Sequence, residues 1–437
     1  MVKTKYLIIG NSIAAVNAVE AIREIDRHGS LCLVSDEPYH TYSRPLISYY
    51  LGNKVEQEAI SYRPDHFYDL NKVQAFLGDK VVSLNCREKQ VVLEDKTYIQ
   101  FEKLLLATGG SAIMPQMPGQ NLAGVFTFTT LDDAQRVKKF IATHQVKKAV
   151  VIGGGLIGLK VTEALVALNI QVTIIELADR ILSATFDRTA SRIIERALKG
   201  IGCACLTNST VKEIRQGEEE GRVGSVVLKD ESQIECQMVI VAVGVRPRVD
   251  LAREAGISLG RGILVDEYLK TSAEDIYAAG DAVEAYDLIA KMPRPVAILP
   301  TAAKQGRIAG YNMAGGRKVY EGSIPMNSVE LAGIPTISVG LTDPAMLADV
   351  DRRNSLEIIQ DYRERESIYK KIVLEDNRIV GVILINKIDR AGIYTGLIKD
   401  RVDVAYFREY LLKDDFGLLS LPREYRKHMV IGQGIEI

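Results

Sequence analysis

The chain has 437 residues, 47% of them hydrophobic and 25% charged, and its 55 basic and 56 acidic residues leave a net charge of −1. That length supports two or three domains with ample core, and the near-neutral balance gives no electrostatic case for nucleic acid or an anionic membrane surface as partner. The five cysteines (Cys32, Cys86, Cys203, Cys205, Cys236) form no CxxC and no cluster-ligand spacing, so they read as reduced, mostly buried thiols of a cytoplasmic protein with no bound metal.

The N-terminal stretch MVKTKYLIIGNSIAAVNA imitates a secretory signal, with two lysines, an apolar run and small residues. Gly10-Asn11-Ser12 interrupts the apolar run, however, and Glu20, Arg23 and Glu24 continue a helical pattern beyond it. The stretch therefore reads as a buried strand over Tyr6–Gly10, a helix over Asn11–Asp26 and a second strand over Leu31–Val34. The turn is a degraded dinucleotide fingerprint, with Gly10 first, Ser12 at the second glycine and Ala15 at the third. Asp36 or Glu37, just after the second strand, could hold a ribose. Tyr42-Ser43-Arg44-Pro45-Leu46 is either a proline-stiffened surface loop or a segment whose Arg44 reaches a cofactor phosphate. A polar β-rich stretch follows: Gly78-Asp79-Lys80-Val81 opens one strand and Gln90–Leu93 forms the next. The buried run Leu104–Gly110 ends in small residues, and Pro115, Pro118 and Gly119 mark a linker.

The stretch from Val150 to Glu176, VVIGGGLIGLKVTEALVALNIQVTIIE, organises the rest. Gly153-x-Gly155-x-x-Gly158 has dinucleotide-binding spacing between an apolar strand and an amphipathic helix. The first glycine permits the tight turn, the second lets a pyrophosphate approach, and the third allows close helix–strand packing. Glu176 follows about twenty residues on, where a carboxylate accepts the ribose 2′-OH; a 2′-phosphate there would meet like charge, which favours NAD(H). Arg180 either softens that repulsion or is paired in solvent. Val239–Gly244 is a further buried strand, and Val245-Arg246-Pro247 leaves the unit. At Ala278-Ala279-Gly280-Asp281 another apolar segment ends in Gly-Asp, with Asp281 a helix N-cap, a cofactor contact, or both. From about Tyr320 strand-like runs (Thr336–Val339, Tyr369–Leu374, Ile379–Ile385) precede helix-like ones (Tyr394–Ile398, Val404–Leu412), which predicts a smaller α+β domain. No apolar run is long enough to span a membrane.

Taken together, GNSIAA, YSRPLISYYLG, GDKV, LLLATGG, VVIGGGLIGLK, VAVGVRP, IYAAGDA and PTAAKQGRIAG resemble the pyridine nucleotide-disulphide oxidoreductase superfamily. Within it the chain is most similar to NADH:rubredoxin or ferredoxin reductases and to the flavin module of nitrite reductase large subunits. The resemblance implies an α/β fold with two Rossmann-like dinucleotide-binding domains, the FAD domain being split by an inserted NAD domain, plus the small α+β C-terminal interface domain. The expected segments are 1–113 and 245–318 for FAD, 114–244 for NAD(H), and 319–437 for the C-terminal domain. It places FAD on Gly10, Ser12, Ala15, Asp36 or Glu37, Arg44, Pro45, Val81, Thr108, Gly109, Gly280 and Asp281. NAD(H) falls on Gly153, Gly155, Leu156, Ile157, Gly158, Glu176 and Gly244.

Three departures from the family matter. Pro45 stands where peroxide- and disulphide-reducing members carry a redox cysteine, which argues against dithiol chemistry at the flavin. Where ferredoxin-reductase relatives have a lysine beside the flavin and a glutamate opposite, this chain has Tyr49 and Lys160. Lys160 is thus a catalytic candidate, supplying a positive field to the reduced flavin, or else an exposed helix lysine.

The implied activity is hydride transfer from NADH to FAD, followed by electron delivery to a separate small redox protein, rubredoxin or a ferredoxin-type iron–sulphur protein. The alternatives are an NADH oxidase reducing oxygen at the flavin and a flavin-binding sensor or interaction protein. In relatives the C-terminal domain forms an interface either within a homodimer or with a partner. Its mixed charges, Lys399-Asp400-Arg401 and Lys413-Asp414-Asp415, single out no docking patch.

Overall fold

The computed structural model describes residues 2–422 and Arg426, so the last part of the expected 319–437 domain lies outside the described residues. The chain divides into two compact units, 1–177 with 202–323 and 178–201 with 324–437.

The first unit holds two sheets built on parallel strands, the first of them extended by an antiparallel edge. One is ordered Val73–Leu77, Leu31–Ser35, Val2–Ile9, Tyr98–Leu106. Leu7, Ile8, Leu33, Val34, Leu104 and Leu105 are buried, the near-continuous apolar runs that a sheet covered on both faces requires. The far edge of Tyr98–Leu106 is shared. Its first residues pair antiparallel with Gln90–Leu93, and its last three pair parallel with Ile276–Ala278. The strand that completes this sheet thus arrives about 170 residues later, after a whole second sheet has been inserted. That second sheet is all parallel, ordered Ala204–Leu206, Gln171–Ile175, Lys148–Ile152, Met238–Val241, Val125–Thr127. A small antiparallel sheet, Val211–Gln216, Val223–Leu228 and Gln233–Glu235, packs its apolar face on Val150, Ile152 and Val239.

Two helices set the geometry of the first sheet's binding edge. The helix Ile13–Ile25 buries Ala14, Ala15, Val16, Ala18 and Val19, and the helix Leu299–Met313 lies against it backbone to backbone. A Cβ at Gly306 would stand 2.0 Å from the Ala14 carbonyl oxygen, and one at Gly310 2.4 Å from that of Ala18. Only glycine permits so close a crossing.

The second unit is an antiparallel sheet ordered Met326–Leu331, Ile334–Gly340, Arg378–Ile385, Ile368–Glu375, Glu357–Arg363, with the helix Ala391–Lys399 beside it. The helix Arg188–Gly200 groups with this sheet although it lies within 114–244 in sequence. Its N-cap Asp187 is the reason: the carboxylate accepts the Ala190 N–H at 3.0 Å, the Tyr369 hydroxyl at 2.7 Å and the Lys371 ammonium at 2.8 Å. These groups are buried, and a buried charge pair of this kind is retained only with such full hydrogen bonding.

Two local expectations are corrected. Val404–Leu412 is not an α-helix. Ala405–Tyr410 is a 3-10 segment kinked at Phe407, φ −133°, because Phe407 turns inward to stack on Phe416 while Asp403 caps the Ala405 N–H. Asp281 caps no helix: it lies in the turn after Ile276–Ala278, and the next helix begins at Leu299 behind Ile298. Among the described residues, no helix is long and apolar enough to cross a membrane.

Candidate functional site

Each parallel sheet of the first unit ends in a glycine turn that opens onto a helix N-terminus. In the inserted sheet, Gly153 has φ +109° and a Cβ there would meet the Ala242 carbonyl oxygen at 2.4 Å. Gly155 is the N-cap of the helix Leu156–Ala167, and nothing lies within 4 Å of where its Cβ would be. Gly158 is closed again, its Cβ position only 2.0 Å from the Gly153 carbonyl oxygen. Turn, open space and close packing occur in the order a pyrophosphate needs, above helix N–H groups that have no partner within the helix. Leu156 and Ile157 form the first helical turn. Glu176, at the end of Gln171–Ile175, reaches back so that its Oε2 accepts the Gly154 N–H at 2.6 Å. Gly244, φ +118°, follows Met238–Val241, and its carbonyl takes the Ile113 N–H at 3.0 Å.

The N-terminal turn meets the same needs with other residues. Gly10 has φ +117° and a Cβ there would lie 2.1 Å from the Ala107 carbonyl oxygen. Ser12 is the extended N-cap of Ile13–Ile25, and Ala15 is fully buried. Gly280, φ +85°, sits against this turn, its Cβ position 3.2 Å from that of Ala14. Its N–H donates to the Gln305 side-chain oxygen at 2.9 Å, and Gln305 in turn donates to the Tyr320 hydroxyl at 3.2 Å. Gly280 and Asp281 are thereby brought to Gly10 and Ser12 from some 270 residues away.

The acids after the second strand have different partners. Glu37 accepts both the Tyr42 hydroxyl and the Arg44 guanidinium, while Arg44 also donates to the Thr129 carbonyl at 3.0 Å. Tyr42 accepts the Leu131 N–H at 3.0 Å, and burial pushes its phenol pKa well up. Burial also pushes the Asp281 carboxyl up, while the charge of Arg44 pulls it back. Asp36 pairs with Arg248 at 2.9 Å. Arg248 ties in the strand end: its carbonyl accepts the Thr108 hydroxyl at 2.7 Å, and its N–H donates to the Gly109 carbonyl at 2.9 Å. Gly109, φ +70°, has open space around its Cβ position. Val81 is placed through Gly78, whose N–H donates to the Glu37 carbonyl at 3.2 Å. Pro45 lies in the 3-10 turn Arg44–Leu46. Open space at Gly109 and Gly155, strained glycines at both first positions and two helix N-termini make these residues a fit for two dinucleotides.

Lys160, on the helix Leu156–Ala167, forms an ion pair with Glu163 one turn on, and its ammonium lies 5.1 Å from the Tyr49 ring centroid. The two side chains are only 21% and 15% exposed, so the exposed-lysine alternative does not describe this residue. Arg180 is likewise not paired in solvent: it is buried and forked between Asp179 at 2.8 Å and Asp343 at 2.7 Å. Sequence reasoning missed Tyr42, Gln305, Gly306 and Arg248 as parts of the cradle. Gln305 and Gly306 stood within PTAAKQGRIAG and Tyr42 within Tyr42–Leu46, but nothing there stated their partners; Arg248 acts only through partners distant in the chain.

A family model described as Pyridine nucleotide-disulphide oxidoreductase matches residues 4–306, and one described as Rubredoxin NAD+ reductase C-terminal domain matches residues 325–402. The NADH-dependent phenylglyoxylate dehydrogenase subunit epsilon of Aromatoleum evansii is 33% identical over 408 residues, 93% of this chain and 94% of that protein. The NAD(P)H nitrite reductase of Bacillus subtilis is 30% identical over 411 residues, 93% of this chain but 48% of that protein, so the chain spans about half its length. A crystal structure of a ferredoxin reductase from Rhodopseudomonas palustris superposes with a TM-score of 0.80 at 27% identity, covering 90% of this chain and 93% of that one.

Proposed function

The chain belongs to the pyridine nucleotide-disulphide oxidoreductase family of FAD- and NAD(H)-dependent enzymes, and from that premise we propose that it oxidises NADH and delivers the electrons to a separate small redox protein, rubredoxin or a ferredoxin-type iron–sulphur protein. The observation that carries this reading is the pair of complete cradles in one unit, each opening on a helix N-terminus. When bound, FAD supplies the hydride-accepting and single-electron-releasing chemistry.

The protein's own part is binding, orientation and field. Gly10, Ser12, Ala15, Gly280 and Asp281 would hold the FAD pyrophosphate and ribityl end, with Arg44 opposing phosphate charge. Thr108, Gly109 and Val81 would line the remainder, and Asp36, held only by the more exposed pair with Arg248, is the acid better placed for the ribose than Glu37, which Tyr42 and Arg44 both engage. Gly153, Gly155, Leu156, Ile157, Gly158 and Gly244 would hold NADH, with Glu176 turning from the Gly154 N–H to the ribose hydroxyls. Lys160 would supply positive field, attenuated by Glu163. In this reading residues 1–113 and 245–318 serve FAD, 114–244 serve NADH, and 319–437 face a partner or a second copy.

A separate acceptor is favoured because the chain has no cluster-ligand cysteine spacing of its own. A second reading follows from the dehydrogenase subunit that matches along nearly its full length: the acceptor would then be a partner subunit of a larger complex. The test is anaerobic stopped-flow of the flavin-loaded protein with NADH, then mixing with oxidised rubredoxin, a ferredoxin or oxygenated buffer. Fast bleaching followed by fast reoxidation by one carrier is the expected result. Fast reoxidation by oxygen alone would replace it with an oxidase, and failure of NADH to bleach the flavin would leave a binding protein only.

A further inference from the structure

Cys203 and Cys205 lie two residues apart where the strand Ala204–Leu206 begins. Side chains alternate along a strand, so both sulfurs share one face, and burial agrees. Cys203 is buried and Cys205 half-buried, while Ala204 and Leu206 are exposed. None of the five cysteines is in a disulfide. The Cys203 thiol donates to the Ala204 carbonyl at 3.5 Å, and the nearby Cys205 thiol together with burial pushes its pKa up. Two extended residues span about 6.6 Å, near the upper end of the Cα separations that a disulfide bridges. The strand is the edge of its sheet, paired on one side only, to Gln171–Ile175. A pucker at Ala204 therefore disturbs one ladder and not two.

That ladder leads directly to the nucleotide acid. Ile174 is opposite Cys205 and Ile175 opposite Leu206. The next hydrogen bond runs from the Glu176 N–H to the Leu206 carbonyl at 2.8 Å, and the Glu176 carbonyl accepts the Ser209 N–H at 3.0 Å. Both backbone bonds of Glu176 thus go to the chain just after the cysteine pair, while its carboxylate meets the Gly154 N–H.

We propose that Cys203 and Cys205 are a modification site: hydrogen peroxide closes them into a reversible disulfide, which distorts the edge strand, displaces Glu176 and weakens NADH binding. The second half of this statement rests on the NADH site proposed above. Cys205, the more accessible sulfur, attacks peroxide as its thiolate. The O–O bond breaks, hydroxide leaves and takes up a proton as water, and Cys205 becomes a sulfenic acid. The Cys203 sulfur then gives up its proton and displaces the sulfenic oxygen as a second water. Two thiols and one peroxide become one disulfide and two waters, and a dithiol reductant reverses the change. A bridge forced on an extended strand is strained, which belongs to the labile, regulatory class of disulfides.

The flavin-loaded protein is treated with hydrogen peroxide, alkylated and mapped by peptide mass, and NADH affinity is measured before and after. The expected peptide holds both cysteines unalkylated and is lighter by about 2 Da, the two hydrogens lost. NADH affinity should fall by about tenfold and recover with dithiothreitol, whereas C205S should keep its affinity through the same treatment. Independent alkylation of the two cysteines, or a bridge to any other cysteine, overturns the site; this wild-type map decides the matter even if the variant does not fold. A bridged peptide with unchanged NADH affinity overturns the coupling to Glu176. If the reduced protein does not bind NADH, the nucleotide reading falls and the coupling with it, while the peptide map still decides the dithiol.

Discussion

The two glycine turns solve one physical problem by different routes. The turn at Gly153 is nearly self-contained: all three glycines and the acid lie within Gly153–Glu176, and the third glycine is demanded by the Gly153 carbonyl 2.0 Å from its Cβ position. The turn at Gly10 keeps only the first glycine, with a backbone carbonyl 2.1 Å away in Ala107. At its third position a methyl is already accommodated in Ala15, and the close approach has moved to the neighbouring helix, where Gly306 meets the Ala14 carbonyl. The first position of the motif is thus set by the turn itself. The third is set by whichever backbone comes closest, and that backbone need not be local.

The strongest way to break this comparison is to add a methyl at each predicted contact. Gly10→Ala combines steric overlap with a left-handed backbone, together about 2–6 kcal/mol, and should abolish FAD retention through desalting. Gly306→Ala should weaken FAD retention too, although it is about 290 residues from the fingerprint. Gly158→Ala should cost NADH about 1–3 kcal/mol of affinity and leave FAD in place. FAD loss in Gly158→Ala with retention in Gly306→Ala would invert the assignment of the two cradles.

Next in size is the acid. Glu176→Ala removes the ribose acceptor and should lower kcat/KM for NADH by about tenfold, near 1.4 kcal/mol. NADPH should gain relative to NADH, since the repelling carboxylate is gone. Asp36→Asn should leave this ratio unchanged, which separates the second turn from the first.

Comparable in size, and opposite in sign to each other, are changes at the pair on the Leu156–Ala167 helix. Lys160→Met leaves the shielded Glu163 carboxylate unbalanced and should lower the flavin potential by about 30 mV, the equivalent of ~1.4 kcal/mol for two electrons. Glu163→Gln leaves Lys160 unopposed and should raise it. Spectroelectrochemical titration of both variants checks the signs, and equal shifts in one direction would show that only packing was disturbed.

The smallest effect concerns how each helix returns to its next strand. After Ile13–Ile25 the return is pinned by Asp26, which accepts Lys5, Tyr6 and the His28 and Gly29 N–H groups. The Lys5 hydrogen bond, then those of Gly29 and His28, hold its carboxyl well below the usual range. A lowered folded-state pKa contributes stability that is present above the unfolded value and lost as pH falls through the folded one. Asp26→Asn should therefore cost about 1 kcal/mol at neutral pH and flatten the loss of Tm on acidification below about pH 4. The corresponding return after Leu156–Ala167 uses Asn169 at φ +59° and no carboxylate, so its variants should show no such acid dependence.

Much of the site was legible because it is local. Gly153, Gly155, Gly158 and Glu176 lie on one strand–turn–helix–strand unit, and their spacing alone states what each must do. The N-terminal turn was legible in part, through Gly10 and the run of small residues behind it. What could not be read were the partners. Glu37 and Asp36 are equivalent in sequence, and only Tyr42, Arg44 and Arg248 distinguish them. Whether Asp281 caps a helix was open until the helix start at Leu299 was placed. Lys160 could be solvated until Glu163 and Tyr49 were seen beside it.

By itself the sequence determined the parallel α/β architecture, both glycine turns and the acid that follows the second. Those depend on backbone conformation and short-range periodicity, which adjacent residues control. Tertiary structure decided that Ile276–Ala278 completes a sheet begun at Val2–Ile9, that Gln305 holds Gly280 over the first turn, and that Arg188–Gly200 joins the C-terminal sheet through Asp187. Each is a hydrogen bond or ladder between segments far apart in the chain. The energy of such a contact depends on where both segments have been carried, which neither segment encodes alone.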